Sequence, residues 1–174
     1  MIITVRNLEK KEEIEIKKFI ITLIAFGVFF VISRFLFSIN FVSGNSMSDT
    51  VSDGGIVFTN KIINDFERYD IVLANVKMSD SDIEQVAIKR VIGLPNDSIK
   101  IENGIILVNG KEIEMYNYYT EDGGLFSETV ILGEDEYFLV GDNRQNSYDS
   151  RFYGGVKKDK IIGKVEYIFY KGGE

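Results

Sequence analysis

Between Phe19 and Val42 the chain reads FIITLIAFGVFFVISRFLFSINFV, an apolar run of 24 residues broken chiefly by Arg34. As a helix rising ~1.5 Å per residue it would reach about 36 Å, enough to cross a hydrocarbon core of ~30 Å. The run is apolar on every side and lacks the single stripe of a helix lying on a soluble core. An arginine at a bilayer centre costs roughly 2.5–3.5 kcal/mol, but Arg34 falls in the outer third, where its side chain can snorkel. A cleaved secretory leader fits poorly, because 18 residues precede the run and no A-x-A-like site follows it. The expected organisation is therefore a segment 1–18, a transmembrane anchor 19–42 and a globular remainder 43–174. Lys10, Lys11, Lys17 and Lys18 precede the span, whereas Ser43–Thr59 carries no Lys or Arg. The positive-inside rule then sets the N-terminus in the cytoplasm and the remainder outside. The mixed charges of EKKEEIEIKK predict a short solvated helix before the span.

Composition removes several classes of function. A net charge of −7 with no basic cluster argues against a nucleic-acid partner. The absence of His excludes Ser-His-Asp and Cys-His chemistry and the usual zinc sites. The absence of Cys excludes disulfides, thiol nucleophiles and iron–sulfur ligation. Beyond Val42 the chain alternates strand-like runs with turns: 55–62, 70–76, 83–92, 98–108, 111–115, 129–140 and 164–170. Asn103-Gly104 and Asn109-Gly110 predict tight hairpins, and Asp122-Gly123-Gly124 predicts another turn. No helical period of useful length follows the span. The expected fold is mostly β: one N-terminal transmembrane helix followed by an antiparallel β-rich domain.

Three segments are candidates for chemistry. Ser43-Gly44-Asn45-Ser46-Met47 follows the span directly; alone, a serine near glycine is usually a turn. It is neither a nucleophile elbow nor an S-x-x-K motif, since Ser48 and Asp49 stand where those patterns need Gly and Lys. Around Ala87–Pro95, strand alternation puts Lys89 on one face with Val91 and Arg90 on the other with Ile92. Burial of Lys89 would favour its neutral amine, and without His a desolvated lysine is the remaining base able to activate a serine. The plain alternative is an exposed lysine on an edge strand. The third segment, Gly141–Arg151, alternates charges closely enough for local ion pairs and follows the apolar strand ending at Val140.

Together these segments resemble the type I signal peptidases, the Ser-Lys class of leader peptidases. That family carries S-G-x-S-M-x-P-T after an N-terminal span, then K-R-V-I-G-L-P-G-D, then G-D-N-R-x-x-S-x-D-S-R. The chain has SGNSMSDT, KRVIGLPND and GDNRQNSYDSR in the same order. The resemblance implies a serine endopeptidase that removes signal peptides from secreted preproteins, with membrane lipid around its anchor and no cofactor. It implies Ser46 as nucleophile, Lys89 as general base, and Ser147 as a supporting hydroxyl that orients the lysine. The Ser46 N–H would serve the oxyanion, and Met47 would pack near substrate. Asp142, Arg144, Asp149 and Arg151 would be structural supports. A small β subdomain would be inserted at about 98–134. Two other readings share the motifs: a catalytically impaired, membrane-anchored binding protein, and a soluble self-cleaving Ser-Lys peptidase. Asp49 replaces the family's Pro, and its carboxylate is expected either to approach Lys89 or to point into water. Asn96 replaces a Gly and should tolerate a left-handed backbone. Gly44 offers no hydroxyl to an oxyanion.

Overall fold

The computed structural model describes residues 2–77, 84–113 and 124–173. The expected turn at Asp122-Gly123 and the outer ends of two expected strands, Ile83 and 114–115, lie outside them.

The chain divides into two compact units, Met1–Leu36 and Phe37–Glu174. The first is a single helix, α1 (Ile2–Leu36). It runs unbroken through position 18, so no separate helix precedes the apolar run. The stretch Glu13–Leu36 is long and apolar enough to cross a membrane. Its two hydroxyls that lie in the run are satisfied within the helix: Thr22 donates to the Lys18 carbonyl and Ser33 to that of Phe30. Such back-bonding is what a hydroxyl needs where water is absent.

The apolar run does not stay helical to Val42. Phe37–Phe41 forms β1 and pairs antiparallel with β2 (Ile56–Asn60). The cause is visible in FSINF, which alternates with period two. Asn40 uses its amide to donate to Ser38 and to the buried Thr59 of β2, while Phe37 stacks on Phe58 with centroids 5.5 Å apart.

The second unit continues with β3 (Ile71–Lys77), β4 (Glu84–Gly93), β5 (Ser98–Glu102), β6 (Ile105–Val108) and β7 (Lys111–Glu112). Then come β8 (Val130–Ile131), β9 (Glu136–Val140), the four-residue helix α2 (Ser150–Tyr153), β10 (Val156–Lys157) and β11 (Ile161–Tyr170). One antiparallel sheet has the order β1-β2-β11-β3-β4-β9-β10 and a second the order β7-β6-β5-β8. The expected mostly β, antiparallel fold is what the chain adopts.

The second sheet rests on its two hairpin turns. Asn103 and Asn109 have φ of 51° and 53°, each followed by a glycine with positive φ, the backbone that Asn-Gly supplies cheaply. Asn96 likewise sits at φ 67°, so it does take the left-handed conformation. The single run expected at 129–140 splits instead into β8 and β9, which belong to different sheets. Between them Gly133 and Glu136 close a turn, the Gly133 N–H donating to the Glu136 carboxylate and the Glu136 N–H to the Gly133 carbonyl. The sheets share a core in which Ile92, Phe138 and Val140 of the first meet Ile99, Ile101 and Ile106 of the second, with Phe126 of the short turn Gly124–Phe126 packed among them. Gly93 lies at that junction: a Cβ there would come within 2.8 Å of both Ile99 and Phe138.

Candidate active site

Ser46 lies in the turn that follows β1, and that turn is anchored at both ends. The Val42 N–H donates to the Gly55 carbonyl, and the Gly54 N–H returns to the Val42 carbonyl. The Gly44 N–H donates to the Asp53 carboxylate at 2.8 Å. Beyond Ser46, Met47 is wholly buried with Val42, Val51, Val57, Leu73 and Ile88. Met47 was expected beside substrate; its side chain instead pins the turn to the core, and the Asp142 N–H contacts its sulfur.

Lys89 reaches the same point from β4, a strand flanked by β3 along its length and by β9 over its last residues. A central strand buries both faces, which is why Lys89 and its neighbour Arg90 are 1% and 7% exposed. Lys89 Nζ lies 2.8 Å from Ser46 Oγ. Burial is the main cause that lowers the Lys89 pKa from 10.5 to about 8; Asp149 and Asp142 oppose the shift and Arg151 assists it. The desolvated ammonium thus loses its proton far more readily than a surface lysine.

The loop Gly141–Arg151 is held by two buried ion pairs. Arg90 grips Asp142 through two nitrogens, at 2.8 and 2.5 Å. Thr50 donates to the same carboxylate, so strand β4, the serine turn and the loop meet at Asp142. Arg90 was missed as a site residue because its partner is 52 positions away, and no local pattern signals such a pair. Asp149 accepts from Arg151 at 2.7 and 2.8 Å and from the Gly141 N–H, while Arg151 also donates to the carbonyls of Arg144 and Ser147. Arg144 is buried beside them. Removing one member of such a pair typically costs roughly 3–5 kcal/mol, because the other charge stays buried.

This frame brings the loop onto the serine. The Asn143 N–H donates to the Ser46 carbonyl at 3.0 Å and its side chain to Ser48 at 2.8 Å. A Cβ on Gly141 would fall 2.2 Å from Ser147 Oγ and 2.5 Å from the Ser46 carbonyl, so only glycine allows this approach. Ser147 stands in the same cleft as Ser46 and Lys89. Its expected hydrogen bond to Lys89 is not made: the Lys89 amine turns to Ser46, and Ser147 Oγ is buried without a partner. Among the described residues the Ser46 N–H also has no hydrogen-bond acceptor. Asp49 is exposed and borders a separate hollow with Asn143, Arg144 and Gln145. It is not among the charges acting on Lys89.

A mostly β domain with a buried lysine against a turn serine has the parts of a serine peptidase without histidine. Comparison with known proteins gives the family. The model of signal peptidase, peptidase S26, matches residues 15–170, and the chain belongs to that family. Signal peptidase I P of Bacillus subtilis subsp. natto is 37% identical over 85% of this chain and 85% of its own length. Signal peptidase I S of Bacillus subtilis strain 168 is 34% identical over 94% of this chain and 93% of its own. A crystal structure of a signal peptidase I from Enterococcus faecalis V583 aligns with a TM-score of 0.43 and 25% identity, over 57% of this chain and 96% of that one.

Proposed function

We propose that the protein is a membrane-anchored serine endopeptidase that removes signal peptides from secreted preproteins, with Ser46 as nucleophile and Lys89 as general base. The observation that carries this reading is the 2.8 Å contact between Lys89 Nζ and Ser46 Oγ, made by a buried amine whose pKa falls to about 8. No His or Cys offers a competing pair. The neutral amine accepts the Ser46 proton as Oγ attacks the scissile carbonyl, and returns it to the leaving nitrogen. The free N–H of Ser46 is a donor for the oxyanion. Ser147, once rotated toward Lys89, would hold the amine in line. Asp142, Arg144, Asp149 and Arg151 would keep the loop pressed against the serine turn, and Met47 would anchor that turn rather than touch substrate.

Substrate recognition has a structural basis in β4. Only Arg90, Val91 and Gly93 pair with β9, so Glu84–Lys89 present an unpaired edge among the described residues. Alternate residues of such an edge offer N–H and C=O groups to an extended peptide. Facing it lie Ile39–Gly44, and Val42, Val57, Leu73 and Ile88 line the cleft between, a surface suited to small apolar side chains before the cut. The apolar part of α1 would be the anchor, with 1–18 cytoplasmic and the domain from residue 43 outside. The second sheet would be the subdomain inserted at 98–134. Because Asp49 is exposed and lines a hollow other than the one holding Ser46 and Lys89, it gives no support to an impaired, non-catalytic reading. The test is incubation of the detergent-solubilised chain with a preprotein, mapping the cut by mass. Cleavage is expected after the signal sequence and should vanish in Ser46→Ala and in Lys89→Ala; activity surviving in either folded variant rejects the dyad.

A further inference from the structure

Among the described residues, Ser46 and Lys89 line two clefts. The larger, about 710 Å³, is the apolar groove along the β4 edge. The smaller, about 380 Å³, lies on the other side of the dyad, where Gly44 and Asn45 face Gln145–Tyr148 and Phe152. A peptide chain cut at its interior must leave the nucleophile in both directions, so a groove for one half requires a path for the other. The larger cleft has the free strand edge and the apolar walls that suit the segment before the cut. The smaller cleft has no such strand edge.

Its walls are of different chemistry. The Tyr148 ring stacks on that of Phe152 with centroids 5.2 Å apart and planes 11° apart. Phe152 is 46% exposed, yet it is not loose. It belongs to α2, whose first turn is fixed by the buried Asp149–Arg151 pair, and the Arg151 guanidinium lies 5.6 Å from its ring centroid. Tyr148 is braced further by Tyr153, 5.7 Å away. An aromatic pair with one ring exposed and the other half-buried, held on a buried frame, is a preformed contact surface. Beside it stand the exposed carboxamides of Asn45, Gln145 and Asn146, able to donate to and accept from a peptide backbone. Among the described residues, Lys89 is the sole ionisable group in the lining apart from the Tyr148 phenol.

We propose that this second cleft is a binding subsite for the first residues after the scissile bond, the N-terminal end of the released protein. The Tyr148–Phe152 pair forms its wall, and the three carboxamides engage the uncharged backbone. This rests on the reading of Ser46 and Lys89 as the catalytic pair. In that reaction the Ser46 Oγ–acyl bond forms and the C–N bond breaks, and the proton taken by Lys89 goes to the nitrogen departing into this cleft. Contacts there therefore hold the leaving group while it is protonated, and binding energy from residues remote from the bond is expressed in the rate.

The test uses the full chain in detergent and two peptides with the same signal-peptide side. One ends as an amide one residue past the bond; the other continues for five residues. For the parent protein, kcat/KM for the longer peptide should exceed that for the shorter by about tenfold. The ratio should fall toward one in Phe152→Ala and Tyr148→Ala and persist in Phe152→Tyr and Tyr148→Phe. Equal cleavage of both peptides by the parent overturns the subsite while leaving the peptidase reading intact, and needs no variant to fold. A ratio that persists in folded alanine variants also overturns it. Cleavage of neither peptide overturns the subsite and the peptidase reading together.

Discussion

Lys89 is held where the fold would be more comfortable without it. A lysine that titrates at about 8 when folded and near 10.4 when unfolded binds fewer protons folded than unfolded between those pH values. Stability therefore rises with pH through that window, and below it the full penalty applies, on the order of 3 kcal/mol at 1.36 kcal/mol per unit. Lys89→Met should accordingly unfold at higher denaturant concentration than the parent at pH 7, with the gain shrinking above pH 8 and gone near pH 10.5. The same shift sets the catalytic profile. With the neutral amine as base, kcat/KM should climb tenfold per pH unit until about pH 8 and then level. Asp49→Asn should leave that limb in place, since Asp49 is exposed to water and lines a hollow apart from the dyad; a displaced limb in the variant would contradict the geometry.

At the scale of elements, the serine turn owes its shape to contacts distant in sequence. Asp53 accepts the Gly44 N–H while its own carbonyl receives the Gly173 N–H and the neighbouring Ser52 N–H donates to the Lys171 carbonyl. A C-terminal strap, a turn and the nucleophile segment are thus bonded in series. Asp53→Ala should lower kcat by about tenfold with a small change in melting temperature, because sub-ångström misplacement of a nucleophile is costly in rate. Asp53→Asn keeps an oxygen acceptor and should retain most of the activity.

These elements also mark what sequence could tell. The Asn-Gly turns were legible because their backbone requirement is met by the two residues themselves. Ser46, Lys89 and the 141–151 loop were legible as motifs, though not their contacts. β1 was hidden at the end of an apolar run, where composition outweighed the period-two alternation of FSINF. The break between β8 and β9 was hidden because both flanks favour strand, and only the Gly133–Glu136 closure separates them. The Arg90–Asp142 pair and the burial of Met47 depend on residues far apart in the chain, where local pattern carries no information.

For the whole molecule, the proposed topology makes one measurable demand. Protease added outside sealed right-side-out vesicles should digest the domain from residue 43 and spare the lysine-rich start of α1; digestion only after permeabilisation would reverse the orientation. A second consequence follows from the β4 edge that β9 leaves uncovered. An unpaired strand edge invites any extended chain, including another copy of the same protein, and natural sheets guard such edges with charge and brevity. Here the guard is slight: Glu84 is tied to Lys160 at 2.7 Å, and Val86 beyond it is 59% exposed. In concentrated solution without peptide the protein should therefore self-associate through this edge, as followed by light scattering. A saturating signal-peptide analogue should disperse it, making substrate the solubilising agent of its own enzyme.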